Sequence, residues 1–84
     1  MWELVSFAQG RVRRLCLEAL ASGPKTPSGI SSASGIHLSH ISRSLRELAA
    51  RGLVECVTPK AIKNRIYRIT EKGRKTLKGV RELS

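Results

Sequence analysis

Eighty-four residues can build one small core and leave no room for a second. A net charge of +10, from 16 lysines and arginines against six glutamates and no aspartate, points to a polyanionic partner. Hydrophobic residues make up 40% and recur at regular spacing, which excludes a disordered basic chain. No run approaches the ~20 apolar residues that span a bilayer, and the N-terminus lacks a signal-peptide pattern, so no membrane partner and a cytoplasmic location are expected.

In chain order, residues 2–21 are predicted helical: Leu4, Phe7 or Ala8, Val12, Leu15, Ala19 and Leu20 recur at three- and four-residue intervals. Gly10 costs ~1 kcal/mol relative to alanine inside a helix, so a bend or break belongs there. Ser22-Gly23-Pro24 ends the segment. Upstream of Gly10, Trp2, Leu4, Val5 and Phe7 carry more apolar surface than a small monomer needs. Two readings stand: a second chain covers these residues, or the end folds back onto its own core.

Thr26-Pro27 is a helix-start signal, a capping hydroxyl followed by a residue suited to the first turn. A short helix is predicted to run to Ser34, with Ile30 and Ala33 inward and Gly35 supplying the turn. Leu38 to Arg51 carries the strongest helical pattern. Ile41, Leu45 and Leu48 form one stripe, and Gly52 closes the segment. Ser39, Arg43, Arg46 and Ala50 fall opposite that stripe, with His40 and Ser42 on the flanks. Glu47 is spaced to pair with Arg43 or Arg51. Leu53 to Thr58 and Arg65 to Thr70 alternate as strands do, around a tip of sequence TPKAIKN. Their inward faces are expected among Cys56, Val57, Tyr67 and Ile69. A last helix, Glu71 to Leu83, offers Leu77, Val80 and Leu83, diluted by Gly73 and Gly79.

Catalysis has no support in these residues. The glutamates are scattered, and neither a phosphate-binding glycine loop nor a nucleophile-base set is present. Cys16 and Cys56 lie in apolar patterns, where free cysteine packs as a small hydrophobe. His37 and His40 are spaced for one helical turn, but no carboxylate or cysteine motif accompanies them, so neither a metal nor a cofactor is expected. His37 is expected to cap the turn.

Polar side chains on the strongest helix have the reach for base edges. Ser39, His40 and Ser42 can exchange hydrogen bonds there, and Arg43 can grip guanine O6 and N7 with two bonds or turn to a phosphate. Arg46, one turn on, suits a phosphate. An ordinary solvated helix face is the alternative for all five. Lys60, Lys63 and Arg65 cluster in the hairpin and suit the nucleic-acid backbone, although lysine at a strand edge also blocks aggregation. Lys25, Thr26 and Ser28 surround the amino end of the short helix, where free amides attract a phosphate. Arg11, Arg13 and Arg14 form a further basic group, or only a solvated face.

ISRSLRELAARGLV at 41–54 followed by YRITEKG at 67–73, with Leu15 to Leu20, Ile30 and Gly35-Ile36 ahead, resembles the winged helix-turn-helix regulators of the MarR and ArsR type. The resemblance covers about Arg11 to Leu77. It implies a mainly α fold with a small β-hairpin: a three-helix core, a two-stranded wing and a C-terminal helix. One domain results, with an apolar extension at 1–10, a core at 11–70 and a C-terminal helix at 71–84. The helix at about 38–51 would enter the major groove of double-stranded DNA, and the wing at about 58–65 would reach the backbone or minor groove. The function implied is that of a sequence-specific transcriptional regulator; the surplus apolar termini add the expectation of a homodimer joined through the N-terminal and/or C-terminal helices. A winged-helix module that docks a protein without affinity for DNA is the alternative. RNA is disfavoured by an aromatic content of 4%, since base stacking uses several rings. The chain departs from the pattern in two ways. It lacks the cysteine-rich metal motif of many ArsR-type sensors, and it is short of the long flanking helices of MarR-type proteins.

Overall fold

A computed structural model describes residues 2–61 and 65–83, and among them five helices and a two-stranded sheet. Gly10 does break the first helical stretch, giving α1 (Trp2–Ala8) and α2 (Arg11–Ala21). α3 (Pro27–Ser34) starts where predicted, with Thr26 Oγ1 accepting from Gly29 N at 3.1 Å. Gly35 ends it in the left-handed conformation, φ 75°, and returns its N–H to Ser31 O at 2.9 Å. α4 (Leu38–Ala50) follows after a three-residue turn, capped by the His37 imidazole, whose Nδ1 accepts from Ser39 N at 3.1 Å.

The strands are shorter than their alternating runs. β1 (Val54–Cys56) and β2 (Tyr67–Ile69) pair antiparallel, Val54 opposite Ile69 and Cys56 opposite Tyr67. β2 has a second neighbour that no sequence pattern announced. Lys25 N donates to Tyr67 O at 3.0 Å, and Tyr67 N donates back to Lys25 O at 2.9 Å, so the residue before the α3 cap forms a bridge on the free side of the strand. α5 (Glu71–Glu82) is capped by Thr70, whose hydroxyl accepts from Gly73 N at 3.0 Å and donates to Gly52 O at 2.7 Å. One side chain thereby fastens the start of α5 to the turn after α4.

Every helix and both strands contribute to one core. Cys16, Leu17 and Leu20 of α2 meet Ile30 of α3 and Ile41, Leu45 and Leu48 of α4, and the layer closes with Leu53, Val54, Tyr67, Ile69, Leu77 and Val80. Burying each large aliphatic chain contributes roughly 1.5–3 kcal/mol, offset by the entropy of ordering it. The predicted inward stripe of α4 is correct in all three positions. One inward assignment is not: Ala33 is exposed on the outer side of α3. Among the four strand candidates Tyr67 and Ile69 are the inward pair, while Val57, just past the end of β1, is 47% exposed. Cys56 is half-buried, whereas Cys16 is fully enclosed.

The N-terminal extension divides between its two readings. α1 packs on α5, burying Val5 and Ala8, and Leu4 and Phe7 rest against the core. Gly79 permits this approach: a Cβ there would stand 2.7 Å from Val5 Cγ2. Trp2, however, remains 66% exposed, as does Leu83 at the end of α5 at 50%.

Candidate nucleic-acid interface

Because Ile41, Leu45 and Leu48 are buried, helical geometry turns the opposite side of α4 to solvent. Ser39, His40, Arg43 and Arg46 are exposed there, and Ser42 is half-buried on a flank. His37 shapes the start of this face. Its Nδ1 lies 2.8 Å from Ser39 Oγ, and its ring meets that of His40 edge-on, with centroids 6.4 Å apart. The imidazole that looked like a cap from sequence is one.

Next along the chain stands the hairpin, where Lys60 and Arg65 are exposed and Lys63 lies outside the described residues. Its base is framed by hydrogen bonds from Val57 N to Ile66 O at 2.7 Å and from Ile66 N to Thr58 Oγ1 at 2.9 Å. Arg65 folds back so that Nε donates to Ala61 O at 2.8 Å. At the amino end of α3 the three expected residues are less uniform. Ser28 is exposed, but Thr26 Oγ1 is engaged by Gly29 N, and the Lys25 ammonium donates to Ser22 Oγ at 2.9 Å.

Four of the six glutamates are engaged by other cations. Glu18 pairs with Arg14 and Arg81, Glu55 with Arg68, Glu71 with Lys75, and Glu47 with Arg13. Solvent-exposed pairs of this kind add little stability, because water and salt screen them. Their distribution matters more. Among the described residues, no ion pair engages Arg43, Arg46, Lys60 or Arg65. These four cations on α4 and the hairpin therefore keep an uncompensated positive charge, which suits a run of phosphates.

Glu47 corrects an expectation. Instead of Arg43 or Arg51 on its own helix, it meets Arg13, 34 residues earlier on α2. Arg13 and Arg51 both lie over the Phe7 ring, their Cζ atoms 4.1 and 4.2 Å from its centroid. Sequence spacing held no sign of this cluster, because it depends on α1, α2 and α4 converging. Arg13 is thus neither a free basic residue nor a merely solvated one.

Other chemistry has less to build on. Among the described residues no three histidine, cysteine or acidic side chains gather as a metal would require, and no helix is long and apolar enough to cross a membrane. Burial pushes the Cys16 thiol up to about 11.

Two helices joined by a tight turn, the second presenting a polar face, with a hairpin beside it, define a winged helix-turn-helix domain. The family model of TrmB, the sugar-specific transcriptional regulator, matches residues 16–72, and the chain belongs to this family. Solved structures extend the likeness to the MarR and ArsR types. The transcriptional repressor BigR from Xylella fastidiosa is 28% identical, with a TM-score of 0.77 over 95% of this chain and 78% of its own. A homodimeric winged helix-turn-helix DNA-binding domain from Mycobacterium bovis, a fragment of a possible ArsR-family regulator, is 28% identical, with a TM-score of 0.76 over 96% of this chain and 75% of its own. A MarR-family transcription regulator is 27% identical, with a TM-score of 0.77 over 93% of this chain. The chain spans about half, 54%, of that regulator's length. None of the curated protein sequences matches the chain.

Proposed function

We propose that the chain is a sequence-specific regulator of transcription that binds double-stranded DNA as a homodimer in the cytoplasm, by recognition and without catalysis. The observation that carries this reading is that Arg43 and Arg46 on the solvent face of α4, and Lys60 and Arg65 in the hairpin that follows, are exposed and engaged by no ion pair among the described residues. In this reading α4 lies in the major groove. Ser39, His40 and Ser42 meet base edges, Arg43 reads guanine, and Arg46 holds a phosphate. Lys60, Lys63 and Arg65 grip the backbone or minor groove, and Lys25, Thr26 and Ser28 lie along a neighbouring phosphate.

Dimerisation is supported by the exposed Trp2 on α1 and Leu83 just past α5, two helices that pack together, and by the homodimeric state of the Mycobacterium bovis relative. Two copies would read half-sites about 34 Å apart. Membership of a family described as sugar-specific makes a sugar the effector class to try first.

Selection of duplexes from a random pool, followed by titration across a salt series, tests the reading. Affinity is expected to fall steeply with salt, by nearly one logarithmic unit of slope per phosphate contact. Arg43→Ala is expected to flatten sequence preference, costing about 1–3 kcal/mol on the selected site. Lys60→Ala should weaken all duplexes alike. Binding that ignores salt, or fails on every sequence, overturns the proposal.

A further inference from the structure

Glu47 is the one carboxylate on α4, and its ordinary helical partners would be Arg43, four residues before it, and Arg51, four after. Among the described residues neither pair forms. Arg13 reaches across from α2 and faces the carboxylate with a fork, Nε 3.4 Å from Oε1 and Nη2 3.4 Å from Oε2. The same guanidinium stacks on Phe7 and donates Nη1 to Phe7 O at 3.3 Å, so its orientation is fixed from the α1 side. Arg51 lies over the same ring. Phe7 and Arg13 between them therefore occupy both Glu47 and one of its two helical partners, and Arg43 is the cation left over.

We propose that Arg13, held by Phe7, is a positioning residue for DNA binding: it occupies Glu47 and so keeps Arg43 open to the duplex. Arg13, Arg43 and Glu47 line one shallow hollow of about 250 Å³ beside the start of α2, and the four-residue spacing on α4 puts Arg43 within reach of the carboxylate that Arg13 engages. Without Arg13, Glu47 turns to Arg43, and the fork needed for guanine or phosphate is engaged before DNA arrives. A residue that does not face the duplex thus controls one that does. The inference rests on the DNA-binding reading above and adds to it a contact between α2 and the reading helix.

The test is a double-mutant cycle on the selected duplex, with Arg13→Gln, Glu47→Gln and both together. Arg13→Gln is expected to weaken binding about three- to fivefold, the scale of one such pair. Glu47→Gln should change wild-type affinity less than about twofold yet restore the Arg13→Gln protein. Arg13→Lys, which keeps the charge and loses the fork, should fall between and provides a gentler variant if glutamine disturbs folding. Equal effects of Glu47→Gln in both backgrounds overturn the proposal, as does wild-type affinity in Arg13→Gln. A readout without DNA separates this from the wider reading. In free protein the Arg43 Nε–H should relax as a mobile group in wild type, become ordered in Arg13→Gln, and loosen again in the double variant. Unchanged Arg43 mobility refutes the inference, whereas failure of wild type to bind any duplex refutes the DNA reading.

Discussion

Cys16 shows what a single buried group does to the whole balance of stability. Its thiol is enclosed by the core, and burial raises its pKa from 9.0 to about 11, because the thiolate would sit in a medium that solvates charge poorly. Between those values the unfolded chain releases the proton while the folded chain keeps it. Unfolding is then favoured as pH rises, and the folded state loses about 2–3 kcal/mol across this window. Below it the thiol is neutral in both states and costs nothing. Urea midpoints measured at pH 8 and pH 10.5 should therefore separate more in wild type than in Cys16→Ala; parallel curves would contradict the assignment. Thiol reagents should modify the half-buried Cys56 first and reach Cys16 only through opening of the fold.

Elements were legible where local chemistry fixes them. α4 follows from its apolar stripe and from Gly52, α3 from Thr26 and Gly35, and each starts and stops within a residue of the predicted point. The part played by Gly73 was not legible. In sequence it merely dilutes a helix, but a Cβ at that position would lie 2.0 Å from Leu53 O and 2.7 Å from Ile69 Cγ1. It is the place where α5 presses against the backbone entering β1. Gly73→Ala must push α5 away from the sheet and is expected to cost about 2–4 kcal/mol, read as a lower melting temperature with little change in helix content. The α4 side that faces solvent was equally legible, since Ser39, Arg43 and Arg46 lie opposite Ile41, Leu45 and Leu48 by periodicity alone. Contacts such as Arg13 with Glu47 and Lys25 with Tyr67 were not, because they join residues far apart in the chain through surfaces that exist only after folding.

At the scale of the molecule, α1 and α5 form a second face. It covers part of the core with Val5, Ala8, Leu77 and Val80 and leaves Trp2 and Leu83 at its rim. A large exposed indole on a helix packed against α5 suits a matching copy better than water. Sedimentation at micromolar concentration is expected to give twice the mass of the chain. Trp2→Ser should raise the dissociation constant at least about tenfold while leaving the circular dichroism spectrum unchanged. A wild-type protein that sediments as one chain at every concentration would contradict this.

The bridge between Lys25 and Tyr67 has a mechanical meaning. β2 is sewn to β1 along one margin and to the approach of α3 along the other, so the finger does not hang from the body by a single seam. The residue that bridges β2 stands just ahead of the Thr26 cap of α3, so the strand and the start of the helix pair share one anchor. In the proposed DNA complex, loosening that seam should weaken the backbone contacts of the hairpin and the base contacts of α4 together.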